Sequence, residues 1–280
     1  GIGLLYHCGL SGSDIFKVTG REIVELITMG FLSEMPDITF NNPLFCGILG
    51  NTILSTVPGV SGAGATPEKT LLTPILDAEL ITNGVITSYE ARPDTPTGCP
   101  TPASITRASL ELCGIQPLFV NAGLHHTPTV SCFDLYGKPG EDPRFRDAVP
   151  HVLDLVKKGE VLGTHLSKCS DLLVLGECVP GGTTTALCVL RALGYEASVS
   201  SSFVNNPVSI KEQICRLSLE RIQAGQIMSP LDILRCTGDP MMPVAAGIAK
   251  TYDGSLILAG GTQMLAVSAV IKGLGVSLPF

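Results

Sequence analysis

Charge is scarce in this sequence. Asp, Glu, Lys and Arg make up 15% of 280 residues, the net charge is −7, and no block of five like charges occurs. Tracking a nucleic-acid backbone takes a basic stripe, so nucleic acid is excluded as a general partner. An anionic ligand would have to be held by backbone dipoles and a few placed cations. Long apolar runs are missing too, although hydrophobic residues reach 45%. The longest, Asp171-Leu-Leu-Val-Leu-Gly176 and Gly254-Ser-Leu-Ile-Leu-Ala259, are short and end at Gly or a charge. Neither approaches the roughly 20 residues that span a bilayer, so no membrane association is expected.

The ten cysteines form no Cys-x-x-Cys and no zinc spacing, and lie singly, as at Cys46, Cys178 and Cys188. They read as reduced, mostly buried thiols of a cytoplasmic protein. No leader peptide is evident, and trimmed ends are expected from a start at Gly1 and a stop at Phe280. His125 and His126 are adjacent, point apart and make a poor metal pair; they read as solvated loop residues, and no metal or cofactor is expected. A Walker A sequence is absent. So is Gly-x-Gly-x-x-Gly, because Gly62-Ala-Gly64-Ala-Thr-Pro67 puts Pro where the third Gly belongs. That weakens ATPase and nicotinamide-dependent oxidoreductase readings.

What the sequence does have is short apolar runs followed by glycine and then helical stretches. Strands are expected at 43–49, 116–122, 172–175 and 255–258, and helices at 20–30, 104–113, 148–158, 184–193, 209–224, 245–250 and from Gln263. Gly159 reads as the stop of the 148–158 helix. Gly-rich, irregular loops are expected at 57–67 and, rich in Pro and Thr, at 92–104. Repeated strand-loop-helix units of this kind predict an α/β protein with a parallel sheet buried between helices.

Two units share one plan: an apolar strand, Gly-Gly-Thr, then a helix. They are Leu172 to Gly181-Gly182-Thr183 and Leu256 to Gly260-Gly261-Thr262. Glycines let a ligand approach the backbone, and the helix that follows presents unpaired N–H groups at its positive end. Thr183, Thr184 and Thr185 add hydroxyls. The plainer alternative is tight turns with threonine caps, but two such loops at the same kind of strand end argue for a ligand. Glu177, just before the first Gly-Gly turn, is either a general base or a loop-bracing carboxylate. Asp239, in Gly238-Asp-Pro-Met-Met-Pro243, either bonds ribose hydroxyls or orders its own turn.

Leu175-Gly-Glu-Cys-Val-Pro-Gly-Gly-Thr-Thr-Thr-Ala-Leu-Cys-Val-Leu-Arg-Ala-Leu-Gly194, Gly238-Asp-Pro-Met-Met-Pro243 and Ile257-Leu-Ala-Gly-Gly-Thr-Gln-Met264 together resemble the nicotinate-nucleotide:dimethylbenzimidazole phosphoribosyltransferase family. Pro58-Gly-Val-Ser-Gly-Ala-Gly64 and Thr73-Pro-Ile-Leu-Asp-Ala-Glu79 look like its archaeal and cyanobacterial branch. The resemblance spans residues 43 to 275.

It implies a Rossmann-like domain with helices on both faces over 41–280, incomplete at its C-terminus. It also implies a small helical subdomain drawn from the chain ends and including 1–40, and a homodimer. The activity it implies moves phosphoribose from nicotinate mononucleotide to a benzimidazole-type base, for a cobamide lower ligand. On the matching positions, Glu177 and the Gly181–Thr185 turn line the nucleotide site, facing Gly260 and Gly261. Lys211 falls where the family binds phosphate, and Val60 and Ser61 lie beside the aromatic acceptor. The family's C-terminal Gly-Glu-Gly or Lys-Glu-Gly motif has no counterpart in these 280 residues. A relative that binds such a nucleotide or another phosphosugar without transferring it is the alternative.

Overall fold

The run at Leu172–Leu175 is apolar without alternation because both of its faces are covered. In the computed structural model, which describes residues 39–63, 66–90, 101–198, 208–223 and 228–276, Leu173 and Leu175 enter one core and Val174 the other. The strands are β1 (Pro43–Gly50), β2 (Pro117–Gly123), the two-residue β3 (Phe133–Asp134), β4 (Leu172–Cys178) and β5 (Ser255–Leu258). All pair in parallel, in the order β3-β2-β1-β4-β5. The helices are α1 (Pro67–Thr70), α2 (Thr73–Asn83), α3 (Pro102–Cys113), α4 (Val152–Leu166), α5 (Gly182–Ala192), α6 (Val208–Gln223), α7 (Pro230–Thr237), α8 (Met241–Thr251) and α9 (Thr262–Gly273). A 3-10 turn covers Ile53–Thr56.

The larger core packs Cys46, Ile48, Val120, Leu173 and Leu175 against α4, α5, α7, α8 and α9. On the other face Phe45, Leu49, Phe119 and Val174 meet Ala78 of α2 and Leu110 of α3. The expected α/β fold, a parallel sheet with helices on both faces, is therefore present. The helix expected at 20–30, the N-terminal segment 1–38 and most of the Pro- and Thr-rich loop lie outside the described residues. Among the described residues no helix is long and apolar enough to cross a membrane.

Several elements differ from their sequence-based expectation. Gly159 does not end α4, which runs on to Leu166. A β-carbon at 159 would lie 2.5 Å from Val244 O, and one at Gly247 would lie 2.2 Å from Val156 O, so these glycines let α4 and α8 touch along their backbones. Helix α8 starts at Met241, earlier than 245, because Asp239 Oδ1 accepts from Met241 N and Met242 N. Helices α2 and α7 went unread, although both have Pro in their first turn, and Ser229 caps α7 through Asp232 N. Cys113 is disulfide-bonded, which corrects the expectation of reduced thiols throughout; seven described cysteines are free.

Candidate functional site

Strand β1 leads to β2 on one side, while β4 pairs on its other side, so the connections diverge between β1 and β4. The crevice beyond the carboxyl ends of strands at such a point is where open α/β sheets bind ligands. Here the loop after β4 meets the 3-10 turn after β1. Gly181 adopts φ +80°, a conformation open to glycine, and a β-carbon there would sit 3.1 Å from that of Ser55.

Period-two alternation sorts the end of β4. Glu177 falls on the side of Leu173 and Leu175, toward α5, α8 and α9, while Cys178 packs in the opposite core. Glu177 is the penultimate residue of β4, so the strand itself aims it. Its Oε2 accepts from Val179 N at 3.1 Å and from Gln263 Nε2 at 2.7 Å. Burial and then the charge of Asp239 push the carboxyl up to about 8, Asp77 adds to this, and the Val179 N–H pulls against it.

The three threonines opening α5 have three separate environments. Thr183 Oγ1 accepts from Lys211 Nζ at 3.0 Å. Thr184 Oγ1 is buried and has no hydrogen-bond partner among the described residues. Thr185 Oγ1 donates to Asp239 Oδ2 at 2.7 Å. Lys211 is 1% exposed, and burial lowers its ammonium to about 8. The Gly-Gly-Thr turn, its flanking cation and its flanking carboxylate, far apart in sequence, thus meet at one helix N-terminus.

The second Gly-Gly-Thr unit follows β5, the neighbour of β4, so the N-termini of α5 and α9 lie side by side. Gly261 is exposed with open space where a β-carbon would project, and Thr262 begins α9. Gly260 lies close to Glu177: a β-carbon there would be 3.8 Å from Oε1.

Asp239 sits behind this group. It is fully buried, with both oxygens engaged by Thr185 and by the first amides of α8, so it orders its own turn and braces α5. Burial raises it to about 6 against those hydrogen bonds. Val60 is equally enclosed, packed with Leu54 and Ile214, and Ser61 Oγ accepts from Ala63 N at 3.3 Å. His125 and His126 lie in the loop after β2 with their rings edge to face at 4.8 Å.

Two neighbours of Glu177 were not anticipated. Gln263 of α9 bridges Glu177 and Val179 O. Asp77 of α2 accepts from Cys178 Sγ and Thr101 Oγ1 and is raised by burial to about 6. The only sequence signal for either was its place inside a segment singled out for another reason.

This architecture is that of a Rossmann-like α/β fold shared with solved phosphoribosyltransferase structures. CobT from Thermus thermophilus superposes with a TM-score of 0.63 at 16% identity, over 84% of this chain and 67% of that one. A nicotinate-nucleotide-dimethylbenzimidazole phosphoribosyltransferase from the same organism gives 0.59 at 16% identity, over 84% and 66%. The chain belongs to the UPF0284 protein family. It is 47% identical over 239 residues to the UPF0284 protein of Thermococcus gammatolerans (84% of this chain, 72% of that one) and 43% identical over 249 residues to that of Methanosarcina acetivorans (86% and 71%). No family model matches.

Proposed function

We propose that this protein is a phosphoribosyltransferase that moves phosphoribose from nicotinate mononucleotide to a benzimidazole-type base. One observation carries the reading: Lys211, the α5 N-terminus, Glu177 and the Gly260-Gly261 loop converge at the carboxyl ends of β4 and β5. The phosphate would lie on the Thr183–Lys211 side, where a cation and a helix end both favour an anion. Gln263 covers the α9 side of the turn, so the ribose and its two bases would lie toward Glu177 and Gly260.

The chemistry follows from that placement. The bond from ribose C1′ to the pyridine nitrogen breaks as the C1′ bond to the azole nitrogen forms, and C1′ carries positive charge between the two. The azole N–H proton leaves to a carboxylate, for which Glu177 is the nearest candidate, and nicotinate departs neutral at its ring nitrogen. Orientation and proton removal by the ionised Glu177 carboxylate do the catalytic work, with no covalent intermediate. A homodimer, as the family resemblance implies, and a cytoplasmic location, as the cysteine pattern suggests, belong to the same proposal.

The test is direct. The full chain incubated with nicotinate mononucleotide and dimethylbenzimidazole should release nicotinate. Binding in calorimetry without turnover, across several azoles, would select a non-catalytic nucleotide binder instead. Neither binding nor turnover would remove both readings.

A further inference from the structure

The two oxygens of Glu177 are not equivalent. Oε2 takes both available donors, Gln263 Nε2 at 2.7 Å and Val179 N at 3.1 Å. Oε1 accepts no hydrogen bond among the described residues and faces Gly260, where a β-carbon would stand 3.8 Å away. The Gln263 amide is itself fixed by a second bond, to Val179 O at 3.1 Å. It fits only because position 182 is glycine, since a β-carbon there would lie 2.0 Å from Gln263 Nε2. The first residue of α5 and the second of α9 are therefore shaped to each other around one carboxylate.

We propose that Gln263 is a positioning residue that engages Oε2 of Glu177, so that Oε1 alone is presented to ligand at the Gly260 loop. This deepens the transferase reading and rests on it for its functional meaning. A carboxylate held by one oxygen keeps a single direction for proton transfer, and orientation of this kind is worth far more than the bond that secures it. An amide is suited to the task because its N–H reaches Oε2 in either protonation state, bonding the charged form more strongly, and it adds no charge to a site already facing Asp239 and Asp77.

The experiment uses the full chain with Gln263→Met, which keeps length without a donor, and Gly182→Ala, which displaces the amide while leaving its chemistry intact. The Glu177 carboxyl is followed by ¹³C NMR with carboxyl-labelled glutamate, assigned by its loss in Glu177→Gln, and nucleotide affinity by calorimetry. Removing a donor to the charged form favours the neutral form, so both variants should move the Glu177 midpoint alkaline. In the turnover assay kcat of Gln263→Met should fall on the order of 10- to 100-fold, with KM for the nucleotide within about threefold, and recover in part at higher pH. A Glu177 midpoint unmoved in both variants, with circular dichroism intact, would overturn the proposal. That titration is read in the resting protein, so absent turnover in the wild type would count against the transferase reading alone.

Discussion

A carboxyl pushed up to about 8 is mostly protonated at pH 7 and mostly ionised by pH 9, and Glu177 is such a group. If it takes the azole proton, kcat should climb through that range and level off above it. Lys211, held down to about 8 by burial, loses its charge over the same interval, so the KM for nicotinate mononucleotide should rise as kcat improves. A pH series of initial rates separates the two trends, and a flat kcat would reassign Glu177 to structure. Glu177→Gln should cut kcat by about 10²- to 10⁴-fold with nucleotide affinity little changed. Lys211→Met should do the reverse. Loss of a hydrogen bond to a charged group, about 1.5–3 kcal/mol, weakens binding roughly 10- to 150-fold, which calorimetry would resolve.

Between elements, α4 and α8 touch backbone to backbone. Gly159 and Gly163 of α4 and Gly247 of α8 leave no room for β-carbons against the facing backbone. Alanine normally favours a helix over glycine by about 1 kcal/mol, yet Gly247→Ala should destabilise the fold by about 1–3 kcal/mol because overpacking outweighs propensity. Urea unfolding measures the sign; a gain in stability would mean that the two helices can separate freely. Gly159 alone of these misled a helix boundary. Local rules read Gly159 as a stop because they see backbone freedom, whereas here the glycine serves contact with a helix some ninety residues further along the chain. Strands were mixed: β5 ends at Leu258 as its composition says, whereas β4 runs past Gly176 to Cys178 and carries Glu177 inside the strand, because pairing with β1 continues there.

For the whole molecule, the buried carboxyls set a pH dependence of unusual sign. Glu177, Asp239 and Asp77 have folded pKa values of about 8, 6 and 6, above their ordinary values of 4.5 and 3.8. The folded state therefore binds more protons, and this stabilising contribution is complete below about pH 4 and is lost as pH rises toward 8. Glu79 acts oppositely. Burial works to raise it, but Thr87 and Ser88 donate enough hydrogen bonds to hold it at about 2, so its contribution is complete above its ordinary value of 4.5 and is lost as pH falls from there to about 2. Thermal unfolding should show Tm declining from about pH 5 to pH 8, and Glu177→Gln should flatten that decline. A decline unchanged in the variant would place the titration elsewhere.

The layered α/β class and the strand-glycine-helix units are legible in the chain alone, because both rest on neighbours in sequence. Motif and resemblance also marked Glu177, the two Gly-Gly-Thr turns and Lys211 as worth watching. Which of them meet depends on packing between distant elements. Parallel pairing of β4 with β5 sets the two turns side by side, and α6 carries Lys211 to Thr183. The same packing gives Asp239 to the turn behind the site and brings Gln263 onto Glu177. Those are contacts between residues tens of positions apart, and no local rule of propensity, capping or spacing encodes them.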